Sequence, residues 1–68
     1  MAALARITLS TDGTILNARI SGVDRPDLTG TPGVDTVEPM VAEGWNVDAV
    51  VAINNDGSTI ATSALLTR

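Results

Sequence analysis

Residues 5–20 read ARITLSTDGTILNARI, two runs of alternating apolar and polar residues separated by Asp12-Gly13. Residues 47–66, VDAVVAINNDGSTIATSALL, repeat this arrangement around Asp56-Gly57. Asp-Gly between alternating runs is typical of a β-hairpin with a two-residue type I′ turn, because both central residues of that turn need a positive φ. The sequence therefore predicts two antiparallel β-hairpins.

A register follows if each Asp-Gly is a two-residue turn. Residues that face each other share one face of the sheet, and a slip by one residue would move them to the other face. Both hairpins then have an apolar face, which favours four strands, near residues 3–10, 14–22, 46–54 and 59–67. The predicted pairs are Leu9 with Leu16, Ile7 with Ala18, Ala5 with Ile20, Ile53 with Ile60, Val51 with Thr62, Ala49 with Ala64, and Val47 with Leu66.

The segment between the hairpins contains a loop and a short helix. Prolines and glycines interrupt residues 24–35, which predicts a loop. After this loop, Thr36 can cap a helix that has Pro39 in its first turn and ends at Gly44. The helix residues expected to face the sheet are Val37, Met40 and Val41.

The chain is predicted to be a single small domain, 1–68, of the α+β class. A hairpin at 3–22 is followed by a loop at 23–35, a short helix at 37–43 and a hairpin at 46–67. The two antiparallel hairpins form a small sheet, and the helix lies between them in the order β-β-α-β-β.

The composition limits how such a domain gains stability. A chain of 68 residues buries a small core, and Trp45 is its only aromatic residue. Cysteine and histidine are absent, which excludes disulfides and the commonest metal ligand. Self-association remains among the supplements that small domains use, so we expect a homo-oligomer.

Charge and hydropathy bear on partners and location. The net charge of −4 argues against nonspecific nucleic-acid binding, which needs a basic surface. No apolar run approaches the length of about 18 residues that spans a membrane, and the N-terminus lacks the apolar region of a signal peptide. We expect a cytoplasmic protein, or a virion component, with no nucleic-acid or membrane partner.

The sequence offers little for catalysis. Without His, Cys or Lys, a Ser or Thr nucleophile would have only a carboxylate as its base. Glu38 and Glu43 are interpreted as the solvated face of the short helix. The stretch 54–57 lacks the first and last ligands of a calcium-binding loop. We predict no catalytic residue, no metal site and no cofactor.

Two features of the predicted sheet indicate contacts. The outer face of the second hairpin is too apolar for a face open to water, so it is a candidate interface unless the helix covers it. Arg6 faces Arg19 across the first hairpin, which favours an anion or an acidic partner over them, or side chains that extend apart into water. The candidate interface residues are Val50, Ala52, Ala61, Ser63 and Leu65.

The second half of the chain has a helix, a strand, a turn and a last strand, with the residues Glu43-Gly44-Trp45, Val47, Val51, Asp56-Gly57, Leu65-Leu66 and Arg68. Over residues 37–68 this pattern resembles a short bacterial and phage domain family of unknown function. The first half departs from that pattern, in which a single strand carries aromatic residues. The resemblance implies an α+β sheet and no known activity.

Together these observations favour a non-enzymatic structural or assembly module. It would self-associate or dock on a larger structural protein through the outer face of the second hairpin. A phage virion accessory protein, such as a capsid or tail decoration subunit, is similar in being short, acidic and rich in Ala, Thr and Val. The alternative is a small cytoplasmic regulatory or binding domain that presents the loop 24–35 to a ligand or protein.

Overall fold

The computed structural model describes residues 3–68, which form one antiparallel sheet of five strands and one α-helix. The predicted α+β class with an antiparallel sheet is confirmed. The predicted arrangement of two hairpins around a helix is wrong, because the order across the sheet is β3-β2-β1-β5-β4. The elements are β1 (Leu4–Ser10), β2 (Ile15–Ile20), β3 (Val23–Asp24), a 3-10 turn (Pro26–Leu28), α1 (Gly33–Ala42), β4 (Asn46–Asn55) and β5 (Ser58–Thr67).

Strand β1 joins the two hairpins, because it pairs with β5 as well as with β2. The β1–β5 ladder runs from Leu4 opposite Thr67 to Ser10 opposite Ala61. Just outside it, the N–H of Ala3 donates to the carbonyl of Arg68 (2.9 Å). Both hairpins thus contribute to a single apolar face.

A short third strand lies where the sequence predicted the beginning of a loop. Ser21 and Gly22 have φ values of 53° and 81°, so they form a two-residue turn with the same φ pattern as a type I′ turn, but with Ser-Gly in place of Asp-Gly. After this turn Val23 faces Ile20, and Asp24 faces Arg19. The chain therefore adds one short edge strand to the sheet, and then it leaves the sheet.

The first Asp-Gly is not the two-residue turn that the sequence predicts. Of this pair only Gly13 has a positive φ. The N–H of Gly13 donates to the carbonyl of Ser10 (3.0 Å), and the N–H of Ser10 donates to the carbonyl of Thr14 (2.8 Å). The loop therefore has three residues, 11–13, which is the arrangement of a turn followed by a left-handed glycine.

The longer loop changes the pairing nearest to it. The sequence predicts that Leu9 faces Leu16, but in the structure Leu9 faces Ile15. The predicted pair of Ile7 with Ala18 is confirmed. Leu16 is the additional residue in a β-bulge, and it is 46% exposed, whereas Ile15 is 1% exposed. The predicted positions of Ile15 and Leu16 are thus exchanged between the two faces.

The second hairpin has the predicted two-residue turn but two shifts of register. Asp56 and Gly57 both have a positive φ, and Asn55 faces Ser58. The register shifts between Ile53 and Asn54 and again between Val47 and Ala49. Between the shifts the predicted pairs are wrong by one residue: Ile53 faces Ala61, Val51 faces Ser63, Val50 faces Ala64 and Ala49 faces Leu65.

The helix begins at Gly33, four residues before the predicted start. Pro32 precedes it in an extended conformation, and no side chain caps this end, so Thr36 is not the cap. The N–H of Gly33 donates instead to the carbonyl of Gly13 (2.8 Å). A Cβ atom at Gly33 would lie 2.5 Å from Cδ2 of Leu9, so glycine allows this close approach to the first hairpin.

The helix ends in a Schellman motif at Gly44, which has a φ of +101°. The N–H of Gly44 donates to the carbonyl of Val41, and the N–H of Trp45 donates to the carbonyl of Met40, both at 3.0 Å. Met40 and Trp45 are buried, and Val37 packs against the core. Val41 is exposed, contrary to the prediction, because it lies beside the face that Gly33, Val37 and Met40 share.

The core lies between α1 and the side of the sheet formed by β1, β2 and β5. No charged or polar residue in the part of the chain that the structure describes is fully buried. The residues of this core are Ala5, Ile7, Ile15, Ala18, Met40, Trp45, Ala64 and Leu66.

The bulge at Leu16 leads to a testable difference between two neighbouring residues. We expect Ile15→Val to lower the free energy of unfolding by about 0.5–1.5 kcal/mol, because it removes a methylene group from a filled core. Leu16→Val should change it by less than about 0.5 kcal/mol, because Leu16 is exposed. Urea unfolding measures both. A larger loss of unfolding free energy in Leu16→Val than in Ile15→Val would support the two-residue turn and contradict the bulge.

Candidate interaction surface on the second hairpin

Strand β4 is an edge strand that is exposed along its whole length. Among residues 3–68 it pairs only with β5, and all ten of its residues, Asn46 to Asn55, are exposed. An edge strand presents N–H and C=O groups that have no partner within the sheet. The other edge differs, because β3 has only two residues.

The register divides the apolar residues of β4 between the two faces of the sheet. Val50 faces Ala64, which belongs to the core, so Val50 lies on the side that carries the helix. Val51 faces Ser63 and lies on the open side. Val50 is 63% exposed and Val51 is 58% exposed. The strand thus presents uncovered apolar side chains on both faces as well as a free backbone edge.

The predicted candidate interface does not form one surface. Val50 and Ala52 lie on the helix side, and both are exposed. Ala61, Ser63 and Leu65 lie on the open side, where Ala61 is buried and the other two are half-buried. The separation arises from the two register shifts in the hairpin.

The sequence wrongly predicts that three apolar residues of β4 lie on the buried face of the sheet. Val47, Val51 and Ile53 were expected to face the core, but all three are exposed. Residues 49–53 read AVVAI, which is a continuous apolar run and not an alternating one. Such a run is typical of a strand that is buried on both of its faces. This signal could have indicated that both faces of β4 are equivalent.

Arg6 and Arg19 face each other as predicted, and the third strand adds an acidic neighbour. Asp24 lies opposite Arg19, and their charged groups are 3.6 Å apart. Both side chains are exposed, so the ion pair contributes little free energy. It nevertheless offsets part of the repulsion between the arginines. Binding of an external anion or acidic partner at Arg6 and Arg19 stays a prediction.

The segment 24–35 is more ordered than the predicted loop. Arg25 donates from Nε and Nη2 to the two carboxylate oxygens of Asp27 (3.1 and 2.9 Å), and this pairing lowers the pKa of Asp27. The N–H of Gly30 donates to the carbonyl of Ile15 (2.8 Å), and the N–H of Ile15 donates to the carbonyl of Thr31 (2.9 Å). The segment is therefore attached to β2, and ligand binding by it stays a prediction.

Asp12 organises the first turn through a cluster of hydrogen bonds. Its Oδ1 accepts from the hydroxyl of Ser10, from the N–H of Thr14 (3.0 Å) and from the hydroxyl of Thr14 (2.7 Å). These bonds, that of Ser10 above all, lower the pKa of Asp12 from 3.8 to about 2. All three residues are polar and near the surface, and the cluster is best explained as support for the turn.

Within residues 3–68, no group of three or more acidic side chains is arranged so that it could hold a metal ion. The same part of the chain has no helix of the length and apolarity needed to cross a membrane. No protein-family model matches the chain, and no match was found among curated proteins or solved structures. The resemblance of residues 37–68 to a bacterial and phage domain family therefore stays a prediction.

The hydrogen bonds at Asp12 predict a specific effect of pH. Since the pKa of Asp12 is lower in the folded protein, its ionised form stabilises the fold above about pH 4, and this stabilisation is lost as the pH falls through about 2. We expect Ser10→Ala to raise the pKa of Asp12 toward 3.8, as measured by NMR titration of the side-chain carboxyl carbons.

Asp27 is an internal control for this titration, because its pKa is lowered by Arg25 and not by Ser10. The pKa of Asp27 should therefore be the same in the unmodified protein and in the Ser10→Ala variant. An unchanged pKa of Asp12 in the S10A protein would contradict the assignment of Ser10 as its main hydrogen-bond donor.

Proposed function

We propose that this chain is a non-enzymatic assembly module that binds another protein chain through the β4–β5 hairpin. The observation that carries the proposal is the exposure of all ten residues of β4, an edge strand with apolar side chains on both faces. Long apolar edge strands are sites at which another strand can add.

Strand β4 has few of the features by which proteins protect an edge from other chains. Such features include lysine, proline, a short strand and a covering loop or helix. Residues 46–55 contain neither lysine nor proline, and Asp48 is their only charged residue. The bulge at Asp48 and the charge of that residue are protective features, and both lie near the start of the strand. The middle of β4 therefore favours contact with protein.

The apolar side chains around this edge also support a protein partner. Val47, Val50 and Val51, all on β4, are exposed. Clustered exposed apolar residues on a small domain are typical of a protein contact. A virion accessory protein, such as a capsid or tail decoration subunit, is one setting that suits a short acidic module of this kind, and this part of the proposal rests on composition.

Charge on the hairpin should disrupt the assembly. We expect native mass spectrometry of the complex isolated from its natural source to show a small whole number of copies of this chain, alone or with one larger protein. Val50→Glu should weaken that assembly at least about tenfold, because it places a charge where water is excluded on binding. Val34→Glu, on an exposed site of α1, is the matched control and should leave the assembly unchanged.

Two results would overturn the proposed function. One is a chain isolated as a monomer without any stoichiometric protein partner. The other is an equal effect of V50E and V34E, since the contact would then not involve the second hairpin.

A further inference from the structure

The central part of β4 is regular and symmetric about one residue. The two register shifts of the β4–β5 ladder lie between Val47 and Ala49 and between Ile53 and Asn54. They leave the continuous segment 49–53, whose midpoint is Val51. The additional residue is Asp48 of β4 at the first shift but Ile60 of β5 at the second, so an additional strand meets no bulge of β4 along this segment.

Two copies of this segment match each other when they pair in antiparallel orientation. A two-fold axis perpendicular to the sheet through Val51 places Val51 opposite its own copy. The same axis places Ala49 opposite Ile53 on the open face, and Val50 opposite Ala52 on the helix side. Each pair is apolar, and each residue keeps its face of the sheet, as antiparallel pairing requires.

Charge favours this register over its neighbours. With the axis at Val51, Asp48 faces Asn54, and Asp56 at the turn faces Asn46. An axis at Ala52 would place Asp48 opposite Asp56, and like charges in that position are destabilising. An axis at Val50 would place Asp48 opposite the apolar Ala52. Over residues 48–54, the register at Val51 is the one of the three that pairs apolar with apolar and polar with polar residues.

We propose that a second copy of this chain adds to the β4 edge in this register. The two sheets become one continuous antiparallel sheet with both helices on the same side. The inference rests on the proposed function, since it names the partner that binds the second hairpin. An edge contact of this length buries an area at the small end of stable interfaces. We therefore expect a weak dimer, in which the fraction of dimer rises with protein concentration over the range used for sedimentation.

Charge exchange at Val51 tests the register, because Val51 is the residue that faces its own copy. Sedimentation equilibrium should show a monomer–dimer equilibrium for the unmodified protein. Val51→Glu and Val51→Lys should each raise the dissociation constant at least about tenfold through like charges across the axis. An equimolar mixture of V51E and V51K should restore the dimer, because Glu then faces Lys.

Ile60→Glu is the matched control on the same hairpin. Ile60 is 51% exposed but belongs to β5, away from the free edge. The I60E protein should dimerise like the unmodified protein. If I60E disrupts the dimer as strongly as V51E, or if the mixture of V51E and V51K stays monomeric, the dimer forms through another surface and the proposed register is wrong.

Cysteine cross-linking gives a second test that needs no charge on the strand. The chain has no cysteine. Facing residues of antiparallel strands have Cα atoms about 4.5–5.5 Å apart, which suits a disulfide. Val51→Cys should therefore form a covalent dimer on mild oxidation. Ile53→Cys should not, since Ile53 and its copy are offset by about 13 Å along the strands.

The outcomes separate this inference from the proposed function. A monomer at every concentration, or equal cross-linking of V51C and I53C, overturns the self-pairing of β4. The proposed function survives that result if the complex from the natural source contains a stoichiometric partner of different sequence whose binding V50E weakens. If such a partner is also absent, the proposed function fails as well.

Discussion

The pairing of β1 with β5 is the contact on which the rest of the structure depends. It joins strands from opposite ends of the chain, so its formation must overcome the entropy of closing a long loop. Burial of Ile7 and Leu66 on the shared face offsets this entropy. An isolated two-stranded hairpin is marginally stable in water, whereas a sheet of five strands under a helix is not limited in this way.

The position of β4 follows from that pairing. With β1 in the centre, β5 becomes an inner strand and β4 becomes an edge. A helix is about 10 Å wide, whereas five strands at a spacing of about 4.8 Å are roughly twice as wide, so one helix cannot cover the whole sheet. Met40 and Trp45 belong to a core cluster that contains residues of β1, β2 and β5 but none of β4. The apolar residues of β4 therefore stay uncovered on both faces, and this exposure produces the candidate interaction surface.

Bulges determine which side chains belong to that surface. In the first hairpin, the hydrogen bonds of Asp12 accompany a three-residue loop, and the resulting bulge exchanges Ile15 and Leu16 between faces. In the second hairpin, two shifts move residues 49–53 by one position relative to β5. Single additional residues thus separated the five predicted interface residues and exposed others that were expected in the core.

The amino-acid sequence by itself determined the local features of this protein. The α+β class, the strands around both Asp-Gly pairs, the turn at Asp56-Gly57 and the end of the helix at Gly44 follow from φ preferences and from periodicity within a few residues. For the candidate site, the sequence predicted that it lies on the second hairpin but not which residues form one surface. Only the tertiary structure decided that both faces of β4 are exposed, because burial there depends on distant partners: on β1 beside β5, and on a helix that lies over the other half of the sheet.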